Sequence, residues 1–127
     1  MLRTIFIVSV LVFTSCQANP ADLAPAKADS LIQASKKDSL FRLIDIRTPQ
    51  EVATGRIGNA TVIDFYAPDF QANIGKLPRD AKILLYCRSS NRTGQALQLM
   101  KSMGFKDVQH IVGGINAWRS QGLPLNP

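Results

Sequence analysis

Cysteine and histidine are scarce in this 127-residue sequence: Cys16 and Cys87 are its cysteines and His110 is its one histidine. Two cysteines so far apart argue against a disulfide framework. Two Cys and one His, all distant in sequence, give no zinc spacing, so no metal is expected, and no cofactor either. Long runs of one charge are also missing. The net charge is +6, yet no run of consecutive Lys and Arg exceeds Lys36-Lys37. A dispersed excess of this kind argues against a nucleic-acid partner but favours small anionic ones. No apolar run reaches the roughly 20 residues that span a membrane. Hydrophobic residues make up 46% and charged residues 19%, a mix that excludes wholesale disorder, and the length suits one domain.

What is present begins with a leader. Met1-Leu2-Arg3 is short and basic, Ile5 to Phe13 is apolar apart from Ser9, and Thr14-Ser15-Cys16 follows. This is the layout of an export signal. Phe13-Thr14-Ser15-Cys16 resembles the lipobox of bacterial lipoproteins, with Phe13 where that motif usually has Leu. The resemblance implies cleavage after Ser15 and lipidation of Cys16. The expected product is an exported protein, periplasmic or membrane-anchored on the periplasmic side, with no membrane contact beyond that lipid. We divide the chain into an export signal (1–15), a flexible Pro/Ala tether (16–26) and a folded domain (27–127).

Within the domain, strand and helix signals alternate. Helices are predicted over Lys27 to Lys37, from a Thr48 cap through Pro49 and Glu51, over Pro68 to Ile74, Arg92 to Met103 and Ile115 to Gln121. Strands are predicted over Phe41 to Ile46, Thr61 to Ile63, Lys82 to Tyr86 and Val108 to Val112. Lys82 to Tyr86 is a continuous apolar run suited to the centre of a sheet. This alternation implies an α/β fold built from parallel βαβ units.

The segment Cys87-Arg88-Ser89-Ser90-Asn91-Arg92-Thr93-Gly94 joins that strand to a helix. Ligands of open α/β sheets bind beyond the carboxyl ends of the strands. Free N–H groups of a loop and helix start can converge on an anion there. The same field favours a Cys87 thiolate. Arg88 and Arg92 add positive charge, and Ser89, Ser90, Asn91 and Thr93 add donors for a bound anion. A buried, inert cysteine followed by a solvated turn is the alternative. Asp45 is placed either to orient the loop by hydrogen bonds or merely to cap. Arg47 and Glu51, four apart, are expected to pair. His110 is assigned packing or surface placement ahead of general-base work, and Trp118 a place in the core.

The loop resembles the active-site loop of the rhodanese family. Three further segments agree in order. Leu43-Ile44-Asp45-Ile46-Arg47 with Glu51 is similar to the family's Asp-x-Arg strand end, Gly55-Arg56-Ile57-Gly58-Asn59-Ala60 to its Gly-His-Ile-x-Gly-Ala turn, and Val112-Gly113-Gly114-Ile115-Asn116-Ala117-Trp118 to its Gly-Gly-x-x-x-Trp closure. Arg56 stands where the family often has His, and Asn59 where it has Gly. The resemblance implies a small α/β domain with a five-stranded, mostly parallel sheet flanked by helices. It implies a sulfurtransferase in which Cys87 takes sulfur from thiosulfate or a similar small anionic donor as a persulfide. A thiol, cyanide or an acceptor protein collects it. A sulfur carrier or docking module without small-molecule turnover, phosphatase or arsenate reductase chemistry, and an inert domain are the alternatives.

Overall fold

A computed structural model describes residues 18–127. The expected export signal (1–15) and the Cys16 lipid site lie outside these residues. The chain order is β1 (Asp22–Leu23), α1 (Pro25–Ala34), β2 (Phe41–Asp45), α2 (Pro49–Val52), β3 (Thr61–Val62), α3 (Phe70–Gly75), β4 (Lys82–Tyr86), α4 (Asn91–Ser102), β5 (Asp107–Ile111) and α5 (Gly114–Ser120). The strands form one five-stranded sheet in the order β1-β5-β4-β2-β3, and every strand pair is parallel.

The apolar run of β4 sits at the sheet centre. Its side chains alternate between two faces, as the strand period requires. Ile83 and Leu85 join Ile44, Ile46, Ile74, Ala96 and Met100 on the face covered by α3 and α4. Leu84 and Tyr86 join Ala28, Ile57, Ile111, Ile115 and Trp118 on the face covered by α1 and α5. Trp118 is buried, and its Nε1 donates to the Pro124 carbonyl at 2.9 Å, which anchors the last helix.

The expected tether is a correction. Residues 22–26 belong to the fold: β1 pairs with β5 (Asp22↔His110, Leu23↔Ile111), and α1 starts at Pro25 rather than Lys27. The His110 N–H donates to the Ala21 carbonyl at 2.8 Å, and the Val112 N–H to Leu23 at 2.9 Å. The segment is held by backbone pairing at a sheet edge, so two residues, one of them charged, suffice and leave no hydrophobic pattern. In the Gly55–Ala60 turn, Gly58 takes the left-handed conformation (φ +50°) and Asn59 does not. The departure from Gly at Asn59 therefore costs the turn nothing. Arg56 exchanges backbone hydrogen bonds with Asn126, each 2.8 Å.

The chain leaves β2 toward β3 on one side of the sheet and β4 toward β5 on the other. The switch point thus lies where Asp45 and Tyr86, register partners, end adjacent strands. A crevice at such a point is where this architecture binds ligands. Cys87 is the first residue after β4.

Candidate active site

Cys87 turns off the end of β4, and α4 begins at Asn91. Between them the backbone folds back on itself, because Ser90 adopts φ +87°, the one non-glycine residue with positive φ among those described. A side chain in this region is strained and persists only where its surroundings hold it. Ser90 is held from the β5–α5 junction: its Oγ accepts the Gly113 N–H at 2.7 Å and donates to the Ile111 carbonyl at 3.4 Å. The first turn of α5 grips the loop from outside. The Ile115 and Asn116 N–H groups donate to the carbonyls of Cys87 and Arg88 at 2.9 and 3.1 Å. Gly114 makes this approach feasible, since a Cβ there would stand 2.5 Å from both carbonyl oxygens.

With its carbonyls tied outward, the loop aims N–H groups inward. The Ser90 N–H donates to Cys87 Sγ at 3.2 Å. Thr93 Oγ1 lies 3.8 Å from the same sulfur. Cys87 is 1% exposed. Burial alone pushes its thiol up. The N–H groups of Thr93, Ser89 and Ser90, with the Thr93 hydroxyl, outweigh that burial, and the net direction is down, toward thiolate. Cys87 carries no disulfide.

The two arginines of the loop differ. Arg92 is buried and forms a bidentate pair with Glu51, both N···O distances 2.7 Å. Its guanidinium also lies over the exposed Tyr66 ring, 5.4 Å from the centroid. Glu51 is locked by the capping box foreseen at Thr48: its carboxylate accepts the Thr48 N–H at 3.0 Å, and its own N–H reaches Thr48 Oγ1 at 3.4 Å. The Arg92 bond, set against partial burial and aided by Thr48, holds the Glu51 carboxyl down at about 2. Arg88 is exposed, and its side chain makes no hydrogen bond among the described residues. It lines a shallow cavity with Gln50, Glu51, Asn116 and Arg119. The side chains of Ser89 and Asn91 also face solvent.

Two expectations are corrected here. Asp45 makes no side-chain hydrogen bond to the loop; the capping alternative holds, its Oδ1 accepting the Arg47 N–H at 3.0 Å. It is fully buried and takes Arg47 in a two-oxygen grip, with Nε 2.9 Å from Oδ1 and Nη2 2.7 Å from Oδ2. Arg47 does not pair with the Glu51 carboxylate. Its Nη1 donates to the Glu51 backbone carbonyl at 3.1 Å and its Nη2 to Gly55 at 2.8 Å. The carboxylate is already taken by Arg92, 41 positions away. Asp45 thus acts through Arg47 on the end of α2, and α2 presents Glu51 to the loop.

Three residues near the site escaped sequence reasoning in their actual roles. Glu51 was seen only as a local partner, and Asp22 was placed in a tether. His110 proves buried, with Nδ1 2.7 Å from Thr93 Oγ1 and Nε2 2.9 Å from Asp22 Oδ1. A buried strand position held by a lone histidine was the one available hint.

Known proteins resemble this chain in sequence and in fold. The rhodanese-like domain matches residues 25–121. A sulfurtransferase of Allochromatium vinosum is 34% identical over 98 residues, covering 77% of this chain and 90% of that one. A rhodanese-related protein of Thermoplasma volcanium superposes with a TM-score of 0.71 at 24% identity, covering 83% and 96% of the two chains. A Rhodopseudomonas palustris protein of unknown function, described as a possible tyrosine phosphatase, superposes with a TM-score of 0.65 at 29% identity, covering 83% of each chain. The family match takes in the switch-point crevice, the Cys87 loop and the Gly113-Gly114 closure together, and on that ground the chain belongs to the rhodanese-like domain family.

Proposed function

We propose that the protein is a sulfurtransferase working through a Cys87 persulfide. The Cys87 thiolate attacks the outer sulfur of thiosulfate or a similar anionic donor. An Sγ–S bond forms, the donor's S–S bond breaks, and sulfite leaves with the electron pair. A thiol, cyanide or the thiol of an acceptor protein then attacks the outer sulfur, and Cys87 departs as thiolate. The observation that carries this reading is the ring of inward N–H groups around a thiolate-favouring Cys87. Such a ring stabilises the charge that returns to sulfur at each step. Arg88, free at the mouth, suits the incoming anion. Arg92 is spent on Glu51 and holds the loop's shape.

A phosphatase reading has one observation in its favour, the likeness to the Rhodopseudomonas palustris protein. Loop size weighs against it. Only four residues separate Cys87 from Arg92, one fewer than the family resemblance implies for the related phosphatase loops. A tetrahedral phosphate needs its oxygens on the N–H groups with phosphorus about 3–3.5 Å from the nucleophile. The shorter ring suits one added sulfur atom.

The testing experiment is thiocyanate formation from thiosulfate and cyanide, with aryl phosphate hydrolysis measured on the same preparation. Turnover that vanishes in Cys87→Ser, with negligible phosphatase activity, is the expected result. Cys87-dependent phosphatase turnover without thiocyanate would reverse it. Export and lipidation at Cys16 complete the proposal and rest on residues 1–16. Cys16→Ala should release the protein from membranes or block its maturation. A soluble wild-type protein with an unmodified N-terminus would overturn that part.

A further inference from the structure

Behind Cys87, away from the donor mouth, a chain of polar groups runs through three further elements. Thr93 on the first turn of α4 is fully buried, with its hydroxyl 3.8 Å from Cys87 Sγ. His110 on β5 has a side chain only 9% exposed, and its Nδ1 is 2.7 Å from that hydroxyl. Asp22 on β1 meets the other ring nitrogen at 2.9 Å and is 44% exposed. The chain thus starts at a buried sulfur and ends at water. On its outer side His110 lines a cavity with Asp22, Gly94, Lys101 and Lys106.

Donor directions along this chain are constrained. A carboxylate facing Nε2 requires a proton there, so the neutral ring presents a lone pair at Nδ1. The Thr93 hydroxyl then donates to Nδ1, the shortest of its contacts; the Ser90 carbonyl, at 3.1 Å, is a competing acceptor. Its oxygen keeps a lone pair for the Cys87 S–H. Every bond therefore points the same way, from sulfur toward Asp22.

We propose that His110, relayed by Thr93 and backed by Asp22, is the base that accepts the Cys87 proton and the positioning group that holds the thiolate. The Cys87 S–H bond breaks as a bond from that proton to Thr93 Oγ1 forms. The original Thr93 O–H bond breaks as Nδ1–H forms. The electron pair stays on sulfur, and the imidazolium keeps its Nε2–H on the Asp22 carboxylate. The Thr93 hydroxyl now donates to the thiolate. Fixed charge near the sulfur does not make this redundant: Arg92 is charge-coupled to Cys87 but paired with Glu51, Arg88 is exposed, and neither guanidinium can take a proton. The groups facing His110 are Asp22 from β1, Thr93 from α4 with Cys87 behind it, and Lys101 and Lys106 across the outer cavity.

This assignment deepens the sulfurtransferase reading but is tested without any sulfur donor, so the two can fail separately. In the full chain, Cys87 alkylation by iodoacetamide is followed against pH by peptide-resolved mass spectrometry. His110→Asn can still bond to Thr93 but takes no proton, and Thr93→Val cuts the relay with little change of shape. Each should slow Cys87 alkylation by about a hundredfold at about pH 6, the low end of general-base contributions, and approach wild type in alkaline buffer. Thr93→Ser should restore the wild-type profile. Profiles for His110→Asn and Thr93→Val that superimpose on wild type would overturn the relay. A second measurement needs no variant. His110 is the chain's only histidine, so its ring resonances are unambiguous. In the unalkylated protein the ring-nitrogen shifts should show the neutral tautomer that carries its proton on Nε2, toward Asp22, and leaves Nδ1 to accept from Thr93. A proton found on Nδ1 instead would overturn the relay equally.

Discussion

The loop around Cys87 is braced on two flanks that differ in kind. On the α2 flank, charges of fixed sign meet in two bidentate pairs, Asp45 with Arg47 and Glu51 with Arg92, and Arg47 also donates to the Glu51 and Gly55 backbone carbonyls. None of these groups makes a hydrogen bond to the sulfur, and Arg92 acts on it through its charge alone. On the β1 flank, Asp22, His110 and Thr93 are joined by single hydrogen bonds, and the last of them touches Sγ. The lesson is a division of labour. Doubly bonded permanent charges set geometry and change little near neutral pH, whereas a singly bonded chain containing histidine can change its proton content while the fold stays put.

If the α2 flank is structural, its loss should read mainly as stability. The largest effect is expected for Asp45→Ala. It strands a buried arginine, and breaking a buried pair from one side costs about 3–5 kcal/mol. Urea unfolding measures this, and a loss within ordinary surface scatter would contradict the reading of Asp45. Glu51→Gln comes next, at about 1.5–3 kcal/mol for a charge-assisted bond, with loosening of the loop. The same pair sets an acid limit. The folded-state Glu51 carboxyl sits at about 2, below its ordinary 4.5. Its contribution is therefore complete above about pH 4.5 and is lost as pH falls through about 2. In Glu51→Gln, that segment of the stability profile should flatten.

The β1 flank is tested by truncation. A chain starting at residue 27 lacks β1 and Asp22. It should be less stable than one starting at residue 18 by about 1–3 kcal/mol, the worth of a few lost hydrogen bonds. Equal unfolding midpoints would make residues 22–26 dispensable after all. The smallest stability change belongs to the mouth, outside both flanks. Arg88→Ala should fall within about 0.5 kcal/mol of wild type while raising KM for thiosulfate severalfold. An unchanged KM would remove Arg88 from donor binding.

Much of this was legible in the sequence, for reasons specific to each part. β4 could be read because a centrally buried strand is apolar on both faces. The α2 start could be read because a capping box is local, with its partners three residues apart. The Cys87 loop could be located because a strand-to-helix junction is a site by architecture. β1 escaped because two residues carry no period. Glu51 was assigned to Arg47 by the i, i+4 rule, but helix spacing says nothing about a partner 41 positions on. The Asp22–His110 contact spans 88 positions and depends on the sheet order, which places the first strand beside the last.

The central claim is that Cys87 carries sulfur, and mass spectrometry tests it most directly. The purified full chain is incubated with thiosulfate and no acceptor, then digested and read peptide by peptide. The account predicts the mass of one added sulfur atom on the peptide containing Cys87, removed by cyanide or a thiol and absent in Cys87→Ser. An unmodified Cys87 peptide from folded protein, with the thiol still open to alkylation, would contradict it.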